Sequence, residues 1–131
     1  MRVRDAMSTD ILMIGPEHTL RAAARLMAAR KVGAAAVHDP DGHGVGILTE
    51  RDILLSIGAG QDPDVERAGA HLTADVVFAA PEWTLERAAE AMVQGGFRHL
   101  IVLSGADVSG IVSVRDIVRA YSKSGALSST V

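Results

Sequence analysis

The chain contains no cysteine among its 131 residues, which excludes disulfides, thiolate metal sites and a cysteine nucleophile. Aromatic residues are also scarce, at 3%, although hydrophobic residues make up 48% of the sequence. We therefore expect a closely packed core of Ala, Val, Leu, Ile and Met. The net charge of −3 argues against nucleic-acid binding, because a protein neutralises phosphates with a basic face.

Long apolar runs are absent as well. No stretch approaches the roughly 20 apolar residues of a transmembrane helix. The first ten residues, MRVRDAMSTD, also lack the apolar run of a signal peptide. We expect a soluble, cytoplasmic protein with no membrane partner.

Motifs for catalysis are missing from the sequence. There is no Ser-His-Asp arrangement, phosphate-loop glycine pattern or catalytic metal motif, so we expect no enzymatic activity and no required cofactor. His38 and His43 flank Asp39 and Asp41, residue types that can bind zinc or a harder metal ion. Because this segment reads as a turn and cysteine is absent, we predict no metal site.

What the sequence does contain is a duplication. Residues Pro16–Met27 read PEHTLRAAARLM and residues Pro81–Met92 read PEWTLERAAEAM, with seven of twelve positions identical. A second pair follows in the same order, with GILTERDIL at Gly46–Leu54 and GIVSVRDIV at Gly110–Val118. Two matching pairs in the same order indicate a duplicated unit of about sixty residues, which is larger than one solenoid repeat.

Each copy shows the same order of predicted elements. A short helical segment precedes an apolar strand, an amphipathic helix, two strands joined by a turn, and a closing helix. Thr19 and Thr84 are the predicted N-caps of the amphipathic helices, and Gly33 and Gly95–Gly96 mark their predicted ends. The other predicted segments are Val3–Met7, Ile11–Ile14, Ala35–His38, Val45–Leu48 and Glu50–Ile57 in the first copy, and Val65–Leu72, Val76–Ala79, Leu100–Leu103, Val108–Val112 and Val114–Tyr121 in the second.

The predicted fold is α/β, with two β-α-β-β-α repeats. A three-stranded sheet with helices on one face leaves its other face open. We therefore expect the repeats to pack sheet to sheet with pseudo-twofold symmetry. We place repeat 1 at residues 1–60, repeat 2 at residues 61–121 and a mobile tail at residues 122–131, within one compact module.

Both copies carry the same polar motif where the last strand meets the closing helix. Thr49 and Ser113 are each followed three residues later by an acid, Asp52 or Asp116. This spacing resembles a capping box, and acids are favoured in the first helical turn in any case. The same helix start can instead present a hydroxyl and N–H groups to a phosphate. The residues alone leave both interpretations open.

The whole pattern resembles a known family. The order strand, amphipathic helix, hairpin and G-I-[LV]-[ST]-x-R-D-I is similar to the cystathionine-β-synthase (CBS) domain. Phe97–Leu103, FRHLIVL, resembles the FRHLPVV segment of that family, although Ala36 and Ile101 stand where the family often has proline. A tandem pair of CBS domains, called a Bateman module, would cover the chain from about Val3 to Tyr121. We expect a stand-alone pair without an attached enzyme, channel or transporter.

The resemblance implies an adenine nucleotide as regulatory ligand. Asp52 and Asp116 match the ribose-binding aspartate of the family, and Thr49 and Ser113 match a residue near the sugar-phosphate. The phosphates require cations, of which Arg98 in the FRHL string is the first candidate. The further cation candidates are Arg115, Arg51 and Lys31. The adenine is expected against Met13, Ile14, Gly33, Ala34 and Ala35 in repeat 1, and against Phe78, Ala79, His99 and Leu100 in repeat 2.

The two predicted sites differ in size. Gly33 and Ala34 of repeat 1 correspond to the bulkier Arg98 and His99 of repeat 2. We therefore expect the two sites to be inequivalent, and one of them can be empty.

The long helices carry opposite charges in the two repeats. Arg21 and Arg25 of repeat 1 correspond to Glu86 and Glu90 of repeat 2. Like charges four residues apart disfavour an isolated helix by about 0.2–0.5 kcal/mol. Because CBS pairs commonly dimerise through helical faces, the resemblance suggests a head-to-tail homodimer. Simple solvent exposure of these charges is the alternative.

Together these patterns predict a regulatory protein that senses energy state by binding AMP, ADP or ATP and signals to an unidentified effector protein. One alternative is a structural module for dimerisation or docking, in which the polar motifs act only as helix caps. The other is a CBS pair for S-adenosylmethionine, a dinucleotide or a guanine nucleotide.

Overall fold

The structure is a computed structural model of the chain that describes residues 1–39, 41, 44–73 and 77–124. In chain order its elements are α1 (Val3–Ala6), β1 (Met13–Ile14), α2 (Leu20–Arg30), β2 (Ala34–His38), β3 (Val45–Thr49), α3 (Glu50–Gly58), α4 (Ala68–His71), β4 (Phe78–Ala79), α5 (Leu85–Gly95), β5 (His99–Ser104), β6 (Asp107–Ser113) and α6 (Val114–Lys123). The predicted α/β class and the β-α-β-β-α order of each repeat are confirmed. The predicted packing of one sheet on the other stays a prediction.

Each repeat builds its own three-stranded sheet, in the orders β1-β2-β3 and β4-β5-β6. In both sheets the first two strands are parallel and the last two antiparallel. The registers coincide, because Ala34 pairs with Thr49 in repeat 1 and His99 pairs with Ser113 in repeat 2. The start of each middle strand therefore lies beside the residue that caps the closing helix.

The long helices α2 and α5 form because their sequences supply both a cap and an apolar stripe. The Thr19 hydroxyl accepts a hydrogen bond from the Ala22 amide, and the Thr84 hydroxyl accepts one from the Arg87 amide, each at 3.1 Å. Both predicted N-caps are confirmed. The buried stripes consist of Leu20, Ala23 and Met27 in α2, and Leu85, Ala88 and Met92 in α5.

The two long helices end differently. Helix α5 ends at Gly95, and Gly96 takes the left-handed conformation with φ 71°, as predicted. Helix α2 ends at Arg30, and the left-handed residue is Lys31 with φ 57°. The prediction that Gly33 ends this helix is wrong, because Lys31 already turns the chain two residues earlier.

The chain divides into two compact units whose limits differ from the predicted repeat boundaries. The repeat 1 unit comprises residues 11–76, and the repeat 2 unit comprises residues 1–10 with the chain from residue 77 onward. Helix α1 precedes repeat 1 in sequence, yet its Val3 is fully buried in the core of the repeat 2 unit. Helix α4 precedes repeat 2, yet its Ala68 is fully buried in the core of the repeat 1 unit.

Backbone hydrogen bonds explain the place of α1. The amides of Val3 and Arg4 donate to the carbonyls of Trp83 and Pro81, at 2.8 and 3.0 Å. The Leu85 amide, which an isolated helix would leave without an acceptor, donates to the Met1 carbonyl at 3.2 Å. The segment before α5 thus obtains its hydrogen-bond partners from the first residues of the chain.

The same bonds recur around α4. The amides of Ala68 and Gly69 donate to the carbonyls of His18 and Pro16, each at 2.8 Å. The Leu20 amide at the start of α2 donates to the Glu66 carbonyl at 2.9 Å. The short helices are therefore exchanged between the repeats, and each completes the unit of the repeat that it does not precede.

The chain after each short helix runs along the last strand of the same unit. Ser8 and Ile111 exchange two backbone hydrogen bonds, at 2.9 and 3.0 Å. A Cβ atom on Gly110 would lie 2.8 Å from the Ser8 carbonyl oxygen and 2.7 Å from Met7 Sδ. The glycine of the G-I-[LV]-[ST] motif is therefore needed for this close approach in repeat 2.

In repeat 1 the same edge is closed by Thr73. Thr73 and Ile47 exchange backbone hydrogen bonds at 2.9 and 3.1 Å. A Cβ atom on Gly46 would lie 2.6 Å from Leu72 Cδ1 and 3.0 Å from the Thr73 carbonyl oxygen. Both copies of the motif thus use glycine for the same reason.

Several predictions concern segments at the limits of the described structure. Helix α6 extends through Lys123, so the chain is still helical where the tail was predicted to begin. Residues 125–131 of that tail, Val76 of the predicted strand and His43 of the histidine-aspartate group lie outside the described residues. No helix in the described part of the chain has the length and apolar character needed to span a membrane.

Candidate functional site

The cap of α3 is the centre of the predicted site in repeat 1. Asp52 Oδ2 accepts hydrogen bonds from the Thr49 amide at 2.8 Å and from the Thr49 hydroxyl at 3.0 Å. The Asp52 amide in turn donates to Thr49 Oγ1 at 3.3 Å. These reciprocal bonds form a capping box with Asp in place of the usual Glu. The structural interpretation of the motif is thus confirmed, and the hydrogen bonds of the cap use one of the two carboxylate oxygens, Oδ2.

Repeat 2 repeats this cap with one difference. The Ser113 amide donates to Asp116 Oδ2 at 2.8 Å, and the Asp116 amide donates to Ser113 Oγ at 3.0 Å. The other carboxylate oxygen, Oδ1, lies 3.8 Å from Arg119 Nη1. The Asp116 side chain is 14% exposed, whereas that of Arg119 is 56% exposed. The Asp116 carboxylate is therefore partly exposed, next to an exposed guanidinium group.

The start of the middle strand is hydrogen-bonded to each cap. The Glu50 amide donates to the Gly33 carbonyl at 2.9 Å, and the Val114 amide donates to the Arg98 carbonyl at 2.9 Å. Gly33 is therefore held beside the start of α3, and Arg98 beside the start of α6. The structure thus places the Arg98 backbone beside the capping box of repeat 2, and the predicted role of its side chain in phosphate binding stays a prediction.

The residues predicted to contact adenine in repeat 1 point in two directions. Successive residues of a strand face opposite sides of the sheet. The side chains of Ile14 and Ala35 are buried in the core of the repeat 1 unit, so only their backbone atoms can reach a ligand. Met13 is 45% exposed, and the pairing of Met13 with Ala36 puts it on the same face of the sheet as Ala34. Gly33 is half-buried at the start of this face.

Repeat 2 divides its residues in the same way. The side chains of Ala79 and Leu100 belong to the buried core of the repeat 2 unit. Phe78 is 37% exposed and pairs with Ile101, which puts it on the same face as the half-buried His99. Met13 and Phe78 are therefore the exposed apolar side chains of the two predicted base sites.

The four predicted cations are all exposed, but they differ in their relation to the caps. Arg51 and Arg115 directly precede Asp52 and Asp116 in the first turns of α3 and α6. Arg98 adjoins the cap of repeat 2 through its carbonyl. Lys31 is the left-handed residue that ends α2, two positions before Gly33.

Two charged residues near the caps did not emerge from the sequence analysis. Glu50 occupies the first turn of α3, where the corresponding residue of α6 is the uncharged Val114. Arg119 reaches Asp116, whereas the corresponding residue of α3 is Leu55, 60% exposed. The i,i+3 spacing of Asp116 and Arg119 on one helix was the signal that could have identified this contact.

Two of the four charges of the predicted dimer stripe, Arg21 and Glu86, have partners within their own unit. The guanidinium of Arg21 binds both carboxylate oxygens of Asp64, and this hydrogen bond lowers the pKa of Asp64 and raises that of Arg21. Glu86 accepts a hydrogen bond from the Tyr121 hydroxyl at 3.0 Å. The pKa of Glu86 is lowered, first by its own backbone N–H and then by Tyr121. The homodimer stays a prediction.

The absence of a metal site stays a prediction. Within residues 1–39, 41, 44–73 and 77–124, no three His, Asp or Glu side chains are grouped closely enough to hold a metal ion.

The sequence pattern of the CBS domain matches this chain twice, at residues 3–59 and 68–123. The chain belongs to the CBS domain family. The two matches correspond to the two repeats, so the protein is a CBS pair.

Known proteins resemble it over most of its length. It is 34% identical over 119 residues to the CBS domain-containing protein YhcV of Bacillus subtilis, covering 88% of this chain and 81% of that one. The solved structure of the CBS-domain containing protein ATU1752 from Agrobacterium tumefaciens matches with a TM-score of 0.83 and 31% identity, covering 92% of this chain and 98% of that one.

A third comparison concerns the fold alone. The CBS domain pair of protein MJ0100, solved with 5′-methylthioadenosine and S-adenosyl-L-methionine, matches with a TM-score of 0.85 but only 21% identity, covering 95% of this chain and 98% of that one. The arrangement of strands and helices within each repeat is therefore that of known CBS pairs.

Proposed function

We propose that this CBS pair is a regulatory module that binds adenine nucleotides, AMP, ADP or ATP, and reports energy state to an effector protein. The observation that carries the proposal is the cap of repeat 2. There, the partly exposed carboxylate of Asp116 and the backbone carbonyl of the exposed Arg98 adjoin the same helix start.

The chemistry of that cap suits a ribose and a phosphate. Asp116 uses Oδ2 for the capping box, so Oδ1 can accept hydrogen bonds from a ribose diol. Arg98 can pair with a phosphate, for which guanidinium geometry is well suited, and the start of α6 adds the positive end of the helix dipole. Phe78, exposed on the neighbouring strand, offers an apolar surface for the base.

The ligand would act by population shift. Binding stabilises the conformation of the pair that has the higher affinity, and the effector protein responds to that conformation. We include in this proposal a cytoplasmic location and a head-to-tail homodimer. In that dimer the basic α2 of one copy lies near the acidic α5 of the other, and the alternative is that these charges serve only their own units.

The proposal is tested with a ligand screen on nucleotide-free protein, using AMP, ADP, ATP, GTP, NADH and S-adenosylmethionine. A ligand at 100 times its dissociation constant adds about 2.7 kcal/mol of stability. At about 4 °C per kcal/mol, the melting temperature rises by roughly 10 °C. Shifts confined to adenine nucleotides support the proposal. A shift with S-adenosylmethionine or GTP alone would assign the pair to another ligand class.

A second candidate function is a structural interaction module. It is favoured by the capping boxes, which form complete hydrogen-bond pairs with no ligand, and by three exposed apolar residues on α3, Leu54, Leu55 and Ile57. In this case Asp116→Asn leaves every partner interaction intact, and no small molecule in the screen changes the melting temperature.

A further inference from the structure

The first turns of α3 and α6 differ in charge at the same backbone position. Glu50 places a carboxylate on the first residue of α3, whereas Val114 occupies that position in α6. The backbone is alike in both, since each of these amides donates to the carbonyl at the start of the middle strand at 2.9 Å. An anion at the start of α3 would meet Glu50 as well as Asp52, and both carboxylates repel it.

Two further residue differences also make repeat 2 more positive than repeat 1. Gly33 adjoins the cap of repeat 1 where Arg98 adjoins the cap of repeat 2. Leu55 stands in α3 where Arg119 stands in α6, 3.8 Å from Asp116. Repeat 2 therefore gains a guanidinium group at two places where repeat 1 has an uncharged residue.

The charges around the two caps can be compared directly. The sequence next to the cap of repeat 1 has two cations and two carboxylates, whereas the sequence next to the cap of repeat 2 has three arginines and one carboxylate. The charged residues are Lys31, Arg51, Glu50 and Asp52 in repeat 1, and Arg98, Arg115, Arg119 and Asp116 in repeat 2. The residues compared next to the cap of repeat 2 therefore sum to a positive charge, which favours phosphate groups, whereas those of repeat 1 sum to zero.

The small and apolar residues of repeat 1 also favour a ligand that has no phosphate. Repeat 1 has the small residues Gly33 and Ala34 at the start of its strand, with Met13 exposed on the same face. A ribose held by Asp52 and a base against Met13 need no phosphate contact. We infer that the two sites take ligands of different charge: repeat 2 binds a phosphorylated adenine nucleotide, and repeat 1 binds an uncharged adenine nucleoside.

This inference rests on the proposed function, and calorimetric titration of the full chain with ATP and with adenosine tests both. Asp116→Asn and Asp52→Asn are a matched pair, because an asparagine oxygen can still accept the capping hydrogen bonds while the second carboxylate oxygen is lost. A hydrogen bond to a charged group contributes about 1.5–3 kcal/mol, so each variant should weaken its own ligand roughly 10- to 150-fold. Asp116→Asn should affect ATP alone, and Asp52→Asn should affect adenosine alone.

A double variant that changes the charge of repeat 1 tests whether charge decides where ATP binds. Gly33→Arg combined with Glu50→Val gives repeat 1 the residues of repeat 2, and the double variant should bind a second ATP. Glu90→Val, which removes the same charge from α5, is the control and should leave ATP at one site. Binding of ATP should also weaken as salt is raised, whereas binding of adenosine should not.

The outcomes separate the two claims. If ATP and adenosine compete for one site, or if ATP binding survives Asp116→Asn and is lost in Asp52→Asn, the charge assignment is overturned while the proposed function stands. If neither ligand binds the wild-type protein, the proposed function itself fails. Loss of each ligand in its own variant supports both.

Discussion

Repeat 1 and repeat 2 close the junction of their last strand and last helix with the same backbone hydrogen bonds, yet they surround that junction with different charges. The caps at Thr49 and Ser113 share the same reciprocal capping box. The side chains next to them are not, since Glu50 and Gly33 are replaced by Val114 and Arg98. The comparison teaches that a duplicated backbone can carry different charges at equivalent positions, and we propose that these unshared side chains decide which ligand each repeat binds.

Substitutions in the exchanged short helices should give the largest loss of stability, and they test which unit each helix belongs to. Val3→Asp puts an unpaired charge at a fully buried position of the repeat 2 unit and should cost about 3–5 kcal/mol. Hydrogen exchange should show lost protection in residues 77–124, although the substitution lies ahead of repeat 1 in the sequence.

Two variants control this result. Ala68→Asp, at the fully buried matching position, should remove protection from residues 11–73 instead. Val65→Asp, at a position 65% exposed, should change little. If Val3→Asp affected residues 11–73 first, the exchange of short helices between the units would be refuted.

Alanine substitution of the motif glycines, Gly46 and Gly110, should destabilise the protein less, and by different amounts in the two repeats. Gly110→Ala should cost about 1–3 kcal/mol, because its Cβ would lie 2.8 Å from a backbone oxygen, that of Ser8. Gly46→Ala should cost less, since its closest contact is the end of the Leu72 side chain, which can rotate. Urea unfolding measures both.

Gly58→Ala is the control for these glycines. No atom lies within 4 Å of its Cβ position and it is the last residue of α3, so alanine should not destabilise the protein. Equal losses at Gly46 and Gly110 would contradict the difference that the contacts predict.

Substitutions at the ends of the two long helices should change the free energy of unfolding by about 1 kcal/mol. Gly96→Ala forces a side chain into the left-handed conformation, with φ 71°, and should destabilise by about 1–2 kcal/mol. Lys31→Gly relieves the same strain in repeat 1 but adds flexibility to the unfolded chain, so the gain should be less than about 1 kcal/mol. Opposite signs in thermal unfolding are expected, and a loss in Lys31→Gly would disprove the explanation.

The smallest expected effect is the pH dependence of the stability that the Arg21–Asp64 pair contributes. The Arg21 guanidinium lowers the pKa of Asp64 in the folded protein, so this pair stabilises the fold above the ordinary Asp pKa of about 4. That contribution is lost as pH falls through the lower, folded-state pKa. Asp64→Asn should therefore lower the melting temperature slightly at neutral pH and have no effect in strong acid.

Tyr121→Phe is the matching variant in repeat 2, because Tyr121 contributes to the lowered pKa of Glu86. Its effect should have the same sign and a similar pH dependence. A larger effect of Asp64→Asn in acid than at neutral pH would show that the assigned direction is wrong.

Much of the fold was predictable because the duplication supplied each pattern twice. The caps at Thr19 and Thr84 and the apolar stripes of α2 and α5 follow local periodicity, and the structure confirms them. The exchange of α1 and α4 was not predictable, since nothing in the sequence around Val3 or Ala68 indicates which repeat each residue contacts. Hydrogen bonds between distant segments decide it.

Within the candidate site, the capping residues were predictable from the sequence. Thr49 with Asp52 and Ser113 with Asp116 form the expected reciprocal pairs. The base-contacting residues were less predictable, because the alternation of strand faces turns Ile14 into the core while Met13 stays exposed. Their role in binding stays a prediction.

The most direct test of ligand binding at these caps is hydrogen exchange of the full chain with saturating ATP. We predict slower exchange in the first turn of α6 and at the start of β5, around Ser113–Asp116 and Arg98, with no change at Thr49–Asp52. Adenosine should protect the first turn of α3 instead. Equal protection of both turns by ATP, or protection of neither, would contradict the account.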